Sequence, residues 1–214
     1  MNKDKLPHRA TQGSNNRQAI EKVLTELCQQ ACRLGASQAA PISTGDIQVE
    51  EKLAKLCEES RCENYGQAAS CPPHVAGPSG FRKMLRQFKH ANVFKIDVPT
   101  EILLSNQRRE IFQLLHEIAA DIEQTAVKLG YPDARAFAGG SCKKLFCDDQ
   151  PNCRVIAKGS GCRNPDRARP SMSGFGINVH KLMQAAGWPM EKITRDTDPD
   201  EVASGSVSGL VLIC

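Results

Sequence analysis

The residues of this sequence whose type and spacing can do chemistry are its thiols. Of ten cysteines in 214 residues, seven fall into two compact groups. Cys57, Cys62 and Cys71 are spaced C-x4-C-x8-C; Cys142, Cys147, Cys153 and Cys162 are spaced C-x4-C-x5-C-x8-C. Cys28, Cys32 and Cys214 stand apart. Thiolates packed so densely repel one another unless a cation holds them, so metal ligation is the chemistry this pattern serves. Behind the charged start Met1-Asn2-Lys3-Asp4-Lys5 there is no apolar run of the kind a secretory signal carries. The expectation is a cytoplasmic protein with reduced cysteines rather than a disulfide framework.

The spacing also bears on which metal. Structural zinc sites pair their ligands in short C-x2–4-C knuckles, two per ion. Here the only short spacings are the x4 pairs, each followed by longer loops. Four ligands from the continuous stretch 142–162 suit an iron–sulfur cluster, whose irons lie apart and need separate approaches. Proline follows the last ligand of both groups (Cys71-Pro72-Pro73 and Cys162-Arg163-Asn164-Pro165), much as in the Cys-Pro ending of bacterial ferredoxin motifs, although neither group has their C-x2-C-x2-C core. The expectation is a 4Fe-4S cluster, one or two per chain; the alternative is zinc that only holds loops together. The first group is one ligand short. His74, Cys28 and Cys32 (i and i+4 on a helix, hence on one face), an Asp or Glu, or a substrate are the candidates to complete it.

The elements that must position these groups follow from periodicity. Residues 1–13 are polar and aperiodic and read as a disordered leader, leaving a single domain over 14–214. Ser14 is a plausible cap for a helix whose stripe runs Ile20, Val23, Leu24, Leu27, Ala31 and Leu34 to a stop at Gly35. An extended stretch over 39–50, with Ile47 and Val49 alternating, leads through a short helix over 52–57 into the first cysteine loop. Gly80 to His90 reads as an amphipathic helix whose basic face either offsets thiolate charge, meets an anionic partner, or is simply solvated. A strand over 91–98 and a long helix from Leu104 to Leu129, spanning roughly 35–40 Å, precede a strand over 134–138. Strand, helix, strand is a crossover unit that favours parallel pairing. The second cysteine group begins where that last strand leaves its sheet, an edge that favours ligand sites. A helix over 178–187 and a buried strand, Leu210 to Cys214, complete an α/β fold: a small mixed sheet flanked by helices, with two cysteine-rich loop insertions.

Composition excludes other classes. No apolar segment approaches the ~20 residues of a membrane span. A net charge of +4 is too mild to imply nucleic-acid binding. No Gly-rich phosphate loop, nucleophile elbow, H-E-x-x-H helix or dinucleotide fingerprint occurs, so no catalytic residue stands out.

The run Cys57-x4-Cys62-x2-Tyr65-Gly66-x4-Cys71-Pro72-Pro73, with Gly140-Ser141-Cys142-x4-Cys147-x5-Cys153-x8-Cys162-Arg163-x-Pro165-x2-Ala168-Arg169-Pro170-Ser171-Met172 and then Gly176-Ile177-Asn178-Val179, resembles the predicted metal-binding proteins of a domain-of-unknown-function family in bacteria and archaea. The resemblance covers about residues 20 to 214. It implies that Cys57, Cys62, Cys71, Cys142, Cys147, Cys153 and Cys162 are the metal ligands, and implies no reaction. The functions that fit are electron transfer or metal-cluster handling, or a zinc-bearing interaction role without catalysis, or an enzyme whose three-cysteine site keeps a position for substrate. Arg61, Arg163, Arg167 and Arg169 lie near cysteines in sequence and either compensate thiolate charge or dock an acidic redox partner.

Overall fold

The computed structural model describes residues 10–60 and 62–214, with side-chain detail from Arg17 onward. In chain order the helices and strands are α1 (Ala10–Arg33), β1 (Gln38–Ser43), α2 (Glu51–Glu59), α3 (Gly77–Leu85), β2 (His90–Pro99), α4 (Thr100–Leu104), α5 (Arg108–Lys128), β3 (Arg135–Ala138), α6 (Cys142–Phe146), α7 (Arg154–Lys158), α8 (Val179–Ala185) and β4 (Ser204–Leu212). Short 3-10 turns occupy Thr44–Asp46 and Met172–Phe175.

The strand residues alternate, and the alternation builds two cores. Phe94, Ile96 and Val98 of β2, Ala136 and Ala138 of β3, and Val207 and Val211 of β4 face α1 and α5. Leu27, Leu115, Ile118 and Ile122 pack down on them from those helices. Residues of the opposite parity, among them Val93, Phe137, Leu210 and Leu212, face α3, α8 and the turn at Met172–Phe175. Each large side chain so buried contributes about 1.5–3 kcal/mol. On the first face Phe94 lies directly across from Gly209, where a Cβ would fall inside its ring. On the second, Phe81, Phe137 and Phe175 stack pairwise with centroids 5.2–5.4 Å apart.

The strand order is β1-β2-β4-β3, and every pairing between these strands is antiparallel. The α/β architecture with a small sheet flanked by helices agrees with the sequence reading. The expected parallel pairing across the crossover is not made, because β4 lies between β2 and β3. Leu210, Val211 and Leu212 are buried on both faces, and a central position hides them best. The parallel element reduces to a single bridge, Ala138 to Ser171. β4 also starts at Ser204, well before Leu210.

Other boundaries move for local reasons. The long helix is divided: Ser105 closes α4 through its backbone N–H to Ile102 O, its hydroxyl accepts from Gln107 N, and α5 begins only at Arg108. At 21 residues α5 is about 30 Å long. Ile47 and Val49 make no strand; the Thr44 hydroxyl donates to Phe88 O at 2.7 Å and turns the chain, leaving Val49 in one bridge with Ile177. The expected leader falls mostly outside the described residues, and α1 runs from Ala10. One cation of the basic face is engaged by a neighbour: Arg82 pairs with Glu51 of α2 and donates to Val49 O at 2.8 Å, while Lys83, Arg86 and Lys89 are exposed.

Candidate metal centre

β3 sits at the sheet edge, and the site grows from its end. Gly139-Gly140 carries the chain past Phe112 of α5; at Gly140 φ is +82°, and a Cβ there would lie 3.1 Å from the Phe112 ring. Ser141 follows, and α6 opens on Cys142. A strap over residues 163–171 returns along the outside of β3, with Ala138 N donating to Pro170 O at 3.0 Å. Ser171 N then donates to Ser70 O at 3.0 Å, which stitches the first cysteine loop to the same edge. The two groups, separated by some seventy residues of chain, therefore meet.

Cys142, Cys147, Cys153 and Cys162 line one pocket together with Ala68 of the first loop. Asn164 donates to two of the sulfurs, from its backbone N to Cys162 Sγ at 3.3 Å and from Nδ2 to Cys147 Sγ at 3.2 Å. The surrounding cations fasten the backbone. Arg154 donates to Gly161 O and Cys162 O at 2.6 and 2.9 Å, and Lys143 to Cys147 O at 2.7 Å. Burial pushes the Cys142 thiol up to about 12, with Ser70 opposing and its neighbours Cys71, Cys162 and Cys153 adding to the rise. Cys153 goes the other way. Burial raises it, but the backbone N–H groups of Ala69, Ile156 and Val155 and the charge of Arg163 together bring it below the ordinary thiol value.

Cys57, Cys62 and Cys71 line a second pocket, shared with Tyr65, Ser141, Ser171 and Ser173. Burial raises Cys57, and the like charges of Cys62 and Cys71 raise it further. Cys71 is also raised by burial, against the hydroxyls of Ser141 and Ser70. Cys71 Sγ lies 3.3 Å from Ser141 Oγ. Ser70 Oγ stands between the pockets, 3.0 Å from Cys142 Sγ and 3.9 Å from Cys71 Sγ. Among the described residues no three His, Cys, Asp or Glu side chains converge closely enough for a single ion. The thiols line walls rather than point to one position.

The candidates for a fourth ligand of the first group are not brought to it. His74 is exposed and turns its Nε2 to Gly66 O at 3.3 Å. Cys28 is buried on α1 with its thiol pushed up to about 12 by burial and then by Cys32, its partner on the same helix. Cys214, which is not one of those candidates, lies at the opposite end of the sheet from the cysteine groups, where its carbonyl accepts from His90 N at 2.8 Å.

Two supporting residues escaped the sequence reading. His116 and Glu123 lie within the apolar pattern of α5, and both hold the site's frame. The buried ring of His116 accepts from Arg169 N at Nδ1 (3.1 Å), which leaves Nε2–H to donate to Gly139 O (2.9 Å). Glu123 accepts from Ala136 N at 2.8 Å and pairs with Arg169. An ionisable residue inside a helical stripe, one or two turns from apolar neighbours, is the signal that marks them. The arginines near the cysteines are engaged elsewhere: Arg169 is buried on Glu123, while Arg167 pairs with Glu117 and lies 4.8 Å over the Phe146 ring. Arg163 is exposed, as is Arg167, and donates to Asn152 O; Arg61 lies outside the described residues.

The sequence model of a family described as predicted metal-binding protein (DUF2284) matches residues 40–213. No curated protein and no solved structure matches the chain.

Proposed function

This chain belongs to that family of predicted metal-binding proteins, and we propose that it is an iron–sulfur protein acting in electron transfer or metal-cluster handling. Cys142, Cys147, Cys153 and Cys162 hold the cluster, of the 4Fe-4S class. The observation that carries this reading is that four thiols from residues 142–162 line a single pocket without converging, among the described residues, on one ion position. A zinc ion with sulfur ligands at ~2.3 Å gathers four sulfurs to within about 4 Å of one another. A cluster keeps them farther apart, around a body of iron and sulfide. Thiols spread around a space suit the second arrangement.

The chain's own residues then set the properties of the centre. When bound, a thiolate-ligated cluster supplies one-electron chemistry. The Asn164 N–H bonds to Cys147 and Cys162 and the nearby Lys143, Arg154 and Arg163 favour the more negative, reduced state and so raise the potential. Ala68 and the first cysteine loop limit access of water. Arg163, exposed beside Cys162, gives an acidic redox partner a cationic rim to dock on. Among the described residues no helix is long and apolar enough to cross a membrane.

The test is purification without oxygen, a visible spectrum, and iron, acid-labile sulfide and zinc measured on one sample. A brown protein with equal iron and sulfide, at least about four of each per chain, is the expected result. A colourless protein with zinc and no sulfide replaces this reading with a structural or interaction role, in which chelation unfolds the loops.

A further inference from the structure

The second pocket differs from the first in being one thiol short, and its remaining wall is made of hydroxyls and an amide. Tyr65, Ser141, Ser171, Ser173 and Asn64 complete it. Ser141 is already committed to Cys71 at 3.3 Å. Asn64, Gly140 and Ser141 also line an adjoining groove, so the pocket and the groove meet at these residues. The groove has an apolar floor in Phe112 and three cationic side chains, Arg108, Arg109 and Lys144. Arg109 pairs with Asp148 at 3.3 Å and Lys144 with Glu63 at 3.7 Å. Arg108, which is exposed, has no charged partner among the described residues.

We propose that Cys57, Cys62 and Cys71 hold a second iron–sulfur cluster with one iron left open, and that the groove brings a small carboxylate to that iron, paired at its other end with Arg108. The proposal rests on the reading of the chain as an iron–sulfur protein. Three protein ligands with one position facing a cleft is the arrangement by which metal sites accept an exchangeable ligand. Carboxylate is the ligand class because its oxygen ligates iron and its charge answers the unmatched guanidinium, which presents a fork of donors to a carboxylate. A neutral ligand leaves Arg108 without a role.

The experiment uses the full chain reconstituted anaerobically with iron and sulfide, beside the Cys57→Ala/Cys62→Ala/Cys71→Ala variant, with malonate as the probe and sodium chloride of equal ionic strength as control. About eight irons in the parent and about four in the variant are expected. Malonate should change the electron paramagnetic resonance spectrum of the dithionite-reduced parent, leave the variant's spectrum unchanged, and leave the iron content unchanged in both. Arg108→Ala should weaken the malonate titration about tenfold at full iron content. Four irons in both proteins would overturn the second centre and leave the four-thiol reading standing. An iron-free parent overturns both readings. Eight irons without a malonate response overturn the open position. Should the triple variant fail to fold, the parent's iron count and the Arg108→Ala titration decide, since that side chain is exposed.

Discussion

The two thiol pockets meet at Ser70 and are built on different plans. The four-thiol pocket is local. Its cysteines lie within residues 142–162, its sulfurs receive N–H groups from Asn164, and Arg154 and Lys143 tie its loops to its own carbonyls. The three-thiol pocket is borrowed from three segments: its thiols come from α2 and the loop that follows it, Ser141 from the exit of β3, and Ser171 and Ser173 from the strap and the turn after it. Its nearest polar neighbours to sulfur are hydroxyls, which donate to a thiolate and accept from a thiol alike. A pocket ringed by fixed N–H donors favours one charge state; one ringed by hydroxyls accommodates either. The contrast separates a site made to hold a group from a site made to meet one.

The largest test of that contrast is Cys153→Ala. It should remove the whole cluster of the local pocket, about four irons with matching sulfide, read by chemical analysis and visible absorption. Iron retained at the other pocket sharpens the contrast. Total loss would break it, showing that the two assemble as one unit.

His116→Ala comes next, because it acts on the frame common to both pockets. It leaves Arg169 N–H and Gly139 C=O buried without partners, a cost of about 3 kcal/mol in chemical denaturation. The same residue imposes a pH dependence. Burial, opposed by the bond to Gly139 and aided by the Arg169 charge, holds His116 down to about 4 from an ordinary 6.5. The unfolded chain binds this proton at the higher pH and the folded chain only at the lower. Its contribution is therefore complete above pH 6.5 and is lost as pH falls toward 4, by up to ~3 kcal/mol. Denaturation midpoints measured across that window in the parent should fall more steeply than in a His116→Phe variant.

Ser70→Ala has a subtler reach. Loss of a hydroxyl 3.0 Å from Cys142 Sγ removes about 1 kcal/mol of preference for the reduced state, or ~40 mV for a one-electron couple. The potential should move downward in a spectroelectrochemical titration, and more at the four-thiol pocket than at its neighbour, where the hydroxyl is 3.9 Å away. Equal shifts at both would argue against the separation drawn here. Smallest of all, Cys32→Ala, at an exposed position of α1, should leave iron content unchanged and stability within about 0.5 kcal/mol.

What could be read in advance follows the same division. The 142–162 group is legible because its members are close in sequence and sit where β3 ends, and the alternation in β2 and helical stripe of α5 fix the layers that carry it. The thiols of the other pocket, Cys57, Cys62 and Cys71, are legible as a group from their spacing, but the wall that completes it is not. Ser171 and Ser173 reach it only through a strap whose course depends on the pairing of Ala138 with Pro170, a contact that no local period records. The direction of the β2–α5–β3 crossover was readable, yet its neighbours were not, because a strand from the far end of the chain fills the gap. His116 and Glu123 were passed over for a plain reason: on a helical wheel they interrupt an apolar stripe, and their partners come from elements up to fifty residues away.

The strap has one more consequence. β3 is an edge strand, and two of its backbone N–H groups point away from the sheet. Both are occupied, Ala136 by the Glu123 carboxylate and Ala138 by Pro170 O, with Arg169 locking the carboxylate in place. The segment that frames the pockets is thus also the cover of the sheet's open side. A chain in which that strap lets go bares an unpaired strand of small and aromatic residues, the template on which copies of a protein add to one another and aggregate. Keeping the strap seated protects solubility as well as the metal site.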